Sequence, residues 1–258
     1  MYYPLQLPHI LGKEFPKHIA YSEEVVESLQ GFMICLWEMK PLSAEKISVT
    51  NIILVDGCID LLVYYDERKI GYRGMNKTNF NHKINLPGRF FGARLRPGAF
   101  EQLTNIPAKR GMEKFQPLKA IDAGFDTDFF FSLEFDECKK YLVAYLRHIV
   151  GHKTPNNFVA LFNELSAIPP STAAEFYQTL NYSPRQCQRL FMKHFGITPQ
   201  AVLSVLRFQF CMDALFSGKA TPSDILGLTD FYDQSHFIND FKQNIGLTPF
   251  EYLRLFRR

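Results

Sequence analysis

The last third of this chain repeats itself. Cys187-Gln-Arg-Leu-Phe191-Met-Lys-His-Phe-Gly196-Ile-Thr-Pro199 aligns without a gap on Phe237-Ile-Asn-Asp-Phe241-Lys-Gln-Asn-Ile-Gly246-Leu-Thr-Pro249. Phe, Gly, Thr and Pro recur at an offset of 50 residues, and a Lys follows each Phe closely. A gap-free repeat of this length marks a duplicated supersecondary unit. Each copy carries its own start and stop signals. In the first, residues 172–180 have helical spacing and Asn181-Tyr182 make a turn. Ser183 is an N-cap, and Pro184 stands at the first helical position, where a missing N–H costs nothing. Gly196 is the usual residue for a left-handed helix end, and Thr198-Pro199 start the next helix as Ser183-Pro184 do. In the second, residues 223–228 are the first helix, Asp230-Phe231 the turn, Asp233 the cap, Gly246 the stop and Thr248-Pro249 a new start. A short helix, a tight turn and a second capped helix make a helix-turn-helix.

Within each second helix one face is apolar: Cys187, Leu190, Phe191 and Phe195 in one copy, Phe237, Phe241 and Ile245 in the other. The opposite face of the first copy holds Arg185, Gln188 and Arg189. Arg and Gln suit bidentate contacts with guanine and adenine edges in a major groove. The matching face of the second holds Ser235, Ile238 and Asn239, with Gln234 and His236 beside them; it carries less charge and is suited to thymine methyls and shape. Ser183, Lys193, Lys219 and Lys242 are candidate phosphate neighbours. For any such face, the plainer alternative is a solvated helix surface. Residues 200–217 lie between the copies and are expected to form a stiff connecting helix, so that both reading helices enter successive grooves about 34 Å apart.

The rest of the chain reads as mixed, giving an α+β protein: a small antiparallel sheet or open barrel with helices, then an all-α C-terminal region. Residues 22–40 are expected to begin as a helix capped by Ser22. Residues 46–55 and 58–65 are expected to form a hairpin across Asp56-Gly57. Short strands are expected at 70–75, 78–84 and 89–96, and a short helix at 99–105. From Asp126 the spacing turns helical. Phe135, Cys138, Leu142, Tyr145, Leu146 and Ile149 form one stripe, and a second helix runs over 156–166, carrying Phe158, Leu161, Phe162 and Leu165. Pro169-Pro170 ends it. The expected division is 1–125, a sensor-like β-rich domain; 126–170, a helical linker or dimerisation segment; and 171–258, the DNA-binding domain.

Charge and cysteines narrow the class. A net charge of +3 is compatible with nucleic acid without arguing for it. The five cysteines, Cys35, Cys58, Cys138, Cys187 and Cys211, show no metal-knuckle or CxxC spacing, which suits buried thiols in a reducing cytoplasm. MYYPLQLPHI lacks the basic-then-apolar order of a secretion signal, and no apolar run reaches membrane-spanning length. His148 and His152 share a helix face as zinc ligands do, but no third ligand is placed nearby, so neither metal nor cofactor is expected, and no arrangement suggests catalysis.

Asp224-Ile-Leu-Gly-Leu-Thr-Asp-Phe-Tyr-Asp-Gln-Ser-His-Phe237, with Phe241-Lys242 and the stretch from Gly246 to Tyr252, closely resembles the signature of AraC-type transcription regulators. Tyr182-Ser183, Gln188-Arg189-Leu-Phe191 and Gly196-Ile-Thr-Pro199 resemble its first unit, and Arg207 and Leu215 its connecting helix. Asn181 and Asp230 stand where the family has turn glycines, and Leu226 where it has a small alanine. Val55-Asp-Gly-Cys-Ile-Asp-Leu61 and Gly92-Ala-Arg-Leu-Arg-Pro-Gly98 resemble a domain found before such regions, with Val55 in place of its usual proline. The resemblance implies double-stranded DNA as partner and a sensor or dimerisation role for the first half; RNA polymerase and a second copy of the chain are further candidate partners. Asp56, Asp60, Arg94 and Arg96 form the candidate set for a polar small-molecule effector. Their plainer alternative is that Asp56 serves its turn and the arginines pair with acids inside the sheet. Two rival functions stay open: a regulator controlled only by its abundance, and an enzyme domain carried on a DNA-binding module.

Overall fold

A computed structural model describes residues 4, 15–75, 80–111, 114–164, 169–170, 172–218, 224, 235, 238–239, 241–242 and 247–256. The first half holds β1 (Ile19–Glu24), β2 (Met33–Pro41), β3 (Ser48–Ile53), β4 (Ile59–Tyr64), β5 (Lys69–Arg73), β6 (Phe80–Asn85), β7 (Phe90–Leu95) and β8 (Phe115–Pro117). A six-stranded antiparallel sheet runs β1-β2-β7-β4-β5-β8, and β3 pairs with β6 in a separate antiparallel pair.

Side-chain alternation sorts the large sheet into two buried faces. Leu61, Val63, Ile70, Tyr72, Phe91, Ala93 and Leu95 point to one core. Cys35, Trp37, Met39 and Leu62 point to the other, where they meet Val49 and Ile84 of the small sheet. Burial on both faces explains why these strands read as nearly continuous apolar runs. Asp60, Arg73 and Arg94 are polar exceptions on the second face, and the register sets Asp60 of β4 directly opposite both Arg94 of β7 and Arg73 of β5.

The first core is closed by helices. In α2 (Ala99–Thr104), Ala99, Phe100 and Leu103 are buried. In α5 (Phe135–Val150) the buried stripe is Phe135, Cys138, Leu142, Leu146 and Val150, with Asp136 and Glu137 in its first turn and Arg147 and His148 in its last, each sign favoured by the helix dipole. Short α1 (Phe15–His18), α3 (Leu118–Ile121) and α4 (Thr127–Phe130) complete this half. Then come α6 (Asn157–Asn163), capped by Asn156, α7 (Ala173–Leu180), α8 (Pro184–His194), α9 (Pro199–Phe216) and α10 (Pro249–Phe256). One continuous apolar cluster extends from Val26 through α5 and α6 to Leu206 of α9.

Two expectations fail. Residues 22–40 do not begin as a helix: Ser22, Glu23 and Glu24 finish β1, a 3-10 turn covers Glu27–Leu29, and β2 follows. Glu23 serves tertiary pairing rather than a helix end, since its Oε1 accepts from Arg94 Nη1 at 3.2 Å. Nor does Asp56-Gly57 join a hairpin, because β3 pairs with β6 while β4 lies between β5 and β7. Asp56 instead accepts from the Cys58 N–H at 2.9 Å, and Gly57 takes φ +77°, so the pair turns the chain from one sheet to the other. All five cysteines are buried, and none is in a disulfide.

Candidate functional site

The first repeat unit is held by its caps. Thr172 Oγ1 accepts from the Glu175 N–H at 3.1 Å and starts α7, which ends at Asn181 with φ +55°. Asn tolerates this left-handed turn better than other non-glycine residues, so the missing family glycine leaves the geometry intact. Ser183 and Gln186 form a capping box: Ser183 Oγ accepts from the Gln186 N–H at 3.3 Å, and Gln186 Oε1 accepts from the Ser183 N–H at 3.0 Å. The Ser183 hydroxyl also donates to Gln186 Oε1 at 2.8 Å and is thus committed to the cap. Ser183→Ala is expected to lower stability by about 1 kcal/mol, read as a fall in melting temperature.

α8 turns Cys187, Phe191 and His194 inward. Arg185, Gln188 and Arg189 are exposed together on the other side. Lys193 is exposed as well, with Nζ 3.5 Å from Glu101 Oε1 of α2. Gly196 has φ +74°, and Thr198 caps α9 by accepting from the Ala201 N–H at 3.3 Å. α9 is apolar nearly all round, as a helix buried on several sides must be.

Less of the second unit is described. Gln234, His236 and Lys219 lie outside the described residues, as do Leu226, Asp230, Phe237 and Ile245. Ser235, Ile238, Asn239, Phe241 and Lys242 are helical; Ser235, Asn239 and Lys242 are exposed, Ile238 is half-buried and Phe241 is buried. α10 opens on a reciprocal cap: Thr248 Oγ1 accepts from the Glu251 N–H at 3.2 Å, and Glu251 Oε2 from the Thr248 N–H at 2.7 Å. That backbone donor holds the Glu251 carboxyl below its usual range.

A cavity of about 90 Å³ lies between the two sheets. It brings together Asp56, Asp60 and Arg94 of the predicted effector set and leaves Arg96 out. Arg96 is buried elsewhere, donating through Nε to the Gln30 carbonyl. Arg94 faces Glu23 at 3.2 Å, Asp60 at 3.5 Å and Asp56 at 3.8 Å. Desolvation works against its charge, and the surrounding Asp60, Tyr21, Cys35 and Asp56 outweigh it, so its pKa stands well above the ordinary value. Desolvation pushes the Asp60 carboxyl up to about 6, with Arg94 opposing and Asp56 adding to the rise. Trp37 Nε1 donates to Asp60 Oδ1 at 3.2 Å. The plainer alternative for these residues is therefore also present: Asp56 serves its turn, and Arg94 pairs with acids across the sheet.

Sequence reasoning missed Trp37, Tyr64 and Phe90 in this wall. One signal was available. Gly92 lies inside a strand, and a Cβ there would stand 2.7 Å from Trp37 Cζ2, so the glycine is the gap that lets the indole lie across the sheet. Also missed was the junction between the two halves. Gln209 of α9 is buried, and its Nε2 donates at 2.7 Å to the carbonyl of Val55, a residue of the cavity wall. His194 Nδ1 lies 2.9 Å from Glu101 Oε2, and Asn156 Nδ2 lies 3.3 Å from His194 Nε2. Desolvation lowers the His194 pKa, and Glu101 opposes that fall. Among the described residues no cluster of three or more His, Cys, Asp or Glu is placed to hold a metal ion, and no helix is long and apolar enough to cross a membrane.

Comparison with known proteins adds two family matches. Residues 177–255 match the family described as a helix-turn-helix domain, and residues 26–114 match a domain of unknown function, DUF6597. No curated protein matches the chain significantly. Among solved structures, an apo variant of ToxT from Vibrio cholerae is similar at 10% identity and a TM-score of 0.40, over 92% of this chain and 97% of that one.

Proposed function

We propose that this chain, a DNA-binding transcription regulator with an AraC-type helix-turn-helix domain behind a domain of the DUF6597 family, reads duplex DNA with the polar face of α8 and is controlled by a small molecule in its inter-sheet cavity. What supports the first part is that Arg185, Gln188 and Arg189 stand exposed while the opposite face of α8 is locked into the core. Exposed Ser235 and Asn239, with Gln234, His236 and Ile238, would read a second groove. Lys193 and Lys242 would lie near phosphates. The division into 1–125, 126–170 and 171–258 belongs to this proposal. Footprinting tests it: protection of a site spanning about two successive major grooves per protomer is expected, and a single-groove footprint overturns simultaneous reading.

The second part is supported by the bond from Gln209 to Val55. It ties the cavity wall to the helix that separates the two reading units. A ligand that shifts the Val55–Asp56 segment therefore acts on α9 directly. Coupling of this kind is worth roughly 5–150-fold in affinity. Gln209→Ala is expected to bring the ratio of operator affinities with and without effector close to one. It should also lower stability by about 1–3 kcal/mol, because a buried carbonyl loses a donor. An undiminished effector response in Gln209→Ala would remove this route.

A further inference from the structure

Helices α2, α6 and α8 meet at one histidine. His194 closes α8 and is 3% exposed. Its Nε2 lies 3.3 Å from Asn156 Nδ2, and its Nδ1 lies 2.9 Å from Glu101 Oε2 of α2. Asn156 is the N-cap of α6, and its Oδ1 accepts from the Val159 N–H at 2.9 Å. A backbone N–H can only donate, so the amide oxygen is fixed on the cap and the amide nitrogen faces the imidazole. The Asn156 backbone N–H donates in turn to Gln102 Oε1 of α2 at 2.8 Å, while Gln102 Nε2 donates to the Gly98 carbonyl at 3.3 Å. The helices have little slack here, since a Cβ on Gly98 would stand 2.8 Å from Val159 Cγ2.

This wiring chooses the state of the ring. Asn156 Nδ2 is a donor, so His194 Nε2 must present its lone pair and the ring proton must sit on Nδ1. Desolvation lowers the His194 pKa and so favours this neutral form; Glu101 opposes the fall and Lys193 adds to it. Glu101 is shared, its Oε1 lying 3.5 Å from Lys193 Nζ. It is close to Nδ1 but not aligned as a full hydrogen bond, so it offsets a charge on the ring only in part. Residues Asn157–Asn163 of α6 bring no charged side chain. Lys109 and Arg110, on the 3-10 turn Ala108–Gly111 packed against α8, are exposed, as are Glu164 after α6 and Glu175 of α7. Arg207 of α9 donates to the Pro170 carbonyl at 3.3 Å.

We propose that His194 is a proton-operated joint for the reading helix: neutral, it holds α8 against α2 and the start of α6; protonated, it releases α8 and weakens operator binding. A proton on Nε2 sets an N–H against the Asn156 NH2. Turning the amide relieves that clash only by taking its oxygen off the α6 cap, and keeping the cap leaves α8 to move away. Burial makes His194 harder to protonate in the folded chain than in the unfolded one. The stability it lends is therefore complete above the ordinary histidine value of 6.5 and is lost as pH falls from there through the lowered one. The effect on DNA rests on α8 being the reading helix.

The test uses the full chain with nitrogen-15 in its histidine rings. At pH 7.5, NMR should show His194 as the Nδ1–H tautomer, its signal assigned by its absence in His194→Gln or, should that variant fail to fold, by contact with the Phe158 ring. Titration to pH 5 should protonate it. Saturating operator should move that midpoint to lower pH, because a proton that weakens DNA binding is itself weakened by DNA. Between pH 7.5 and 5 the operator affinity of the unaltered chain should drop roughly fivefold or more relative to that of His194→Gln, whose amide oxygen can still accept from Asn156. Asp60, which titrates near 6, and the other histidines are common to both chains, so the difference isolates His194. Asn156→Asp keeps a good N-cap and sets a carboxylate against Nε2, so it should raise the midpoint. The Nε2–H tautomer, no titration above pH 5, a midpoint that ignores operator or Asn156→Asp, or the same acid loss in folded His194→Gln overturns the proposal. Operator binding at pH 7.5 that ignores Arg185, Gln188 and Arg189 removes α8 as the reading helix and the release of DNA with it. The tautomer and the response to Asn156→Asp then still decide whether the joint exists.

Discussion

Arg185→Ala, Gln188→Ala and Arg189→Ala should each weaken binding to the chain's own operator while leaving its folding intact. A good bidentate base contact discriminates by about 1–3 kcal/mol, so losses of roughly fivefold to more than a hundredfold are expected from whichever of these side chains reads a base. All three are exposed on α8, and their removal opens no cavity. Stability should therefore stay within about 0.5 kcal/mol, as for most surface substitutions. Anisotropy titrations on the operator and on a scrambled duplex sort the roles. A residue that reads bases loses affinity for the operator and little for the scramble. A residue that touches phosphate loses both alike and makes the salt dependence shallower. If all three variants bind the operator as the unaltered chain does, α8 is not a reading helix.

Phe191→Ala should be the most destabilising single change in the first unit. The ring is fully buried, with neighbouring centroids at 4.9 Å for Phe158, 5.1 Å for Phe195, 5.3 Å for Phe176 and 6.1 Å for Phe162. Truncation of a buried Phe costs about 3–5 kcal/mol through lost transfer energy and the cavity left behind. Phe158 and Phe162 belong to α6, whereas Phe176 belongs to α7, so the same ring fastens α8 to the helix before the unit and to the helix within it. Operator binding should fall with stability and recover on cooling toward the temperature of maximum stability. Phe191→Leu keeps most of the volume and should cost clearly less. Urea unfolding of the two variants measures both. A loss under about 1 kcal/mol for Phe191→Ala would mean that the cluster relaxes to fill the space.

Much of the first repeat unit was readable because its signals are local. Ser183-Pro184 and Thr198-Pro199 announce helix starts within two residues, and Asn181 and Gly196 announce the turns, because capping and positive φ depend on the residue itself and its immediate neighbours. The stripe of Phe135, Cys138, Leu142 and Leu146 was readable for the same reason: a helix repeats within its own segment. Strand boundaries at 70–75 and 89–96 came close to β5 and β7. Partnership between strands did not. Asp56-Gly57 has the composition of a hairpin turn, and nothing near it tells that β3 will pair with β6 instead of β4.

Residue order alone settled where helices begin and end in the first copy of the repeat, and which edge of α8 is polar. It did so because backbone capping and helical periodicity act over three or four residues. Folding in three dimensions decided the rest. It set Asp60 across from Arg94, laid Trp37 over Gly92, and brought Gln209 to the Val55 carbonyl 154 positions away in the chain. Such contacts depend on strand order and on how helices stack against the sheet, and those follow from the summed burial of the whole apolar surface rather than from any short stretch of it.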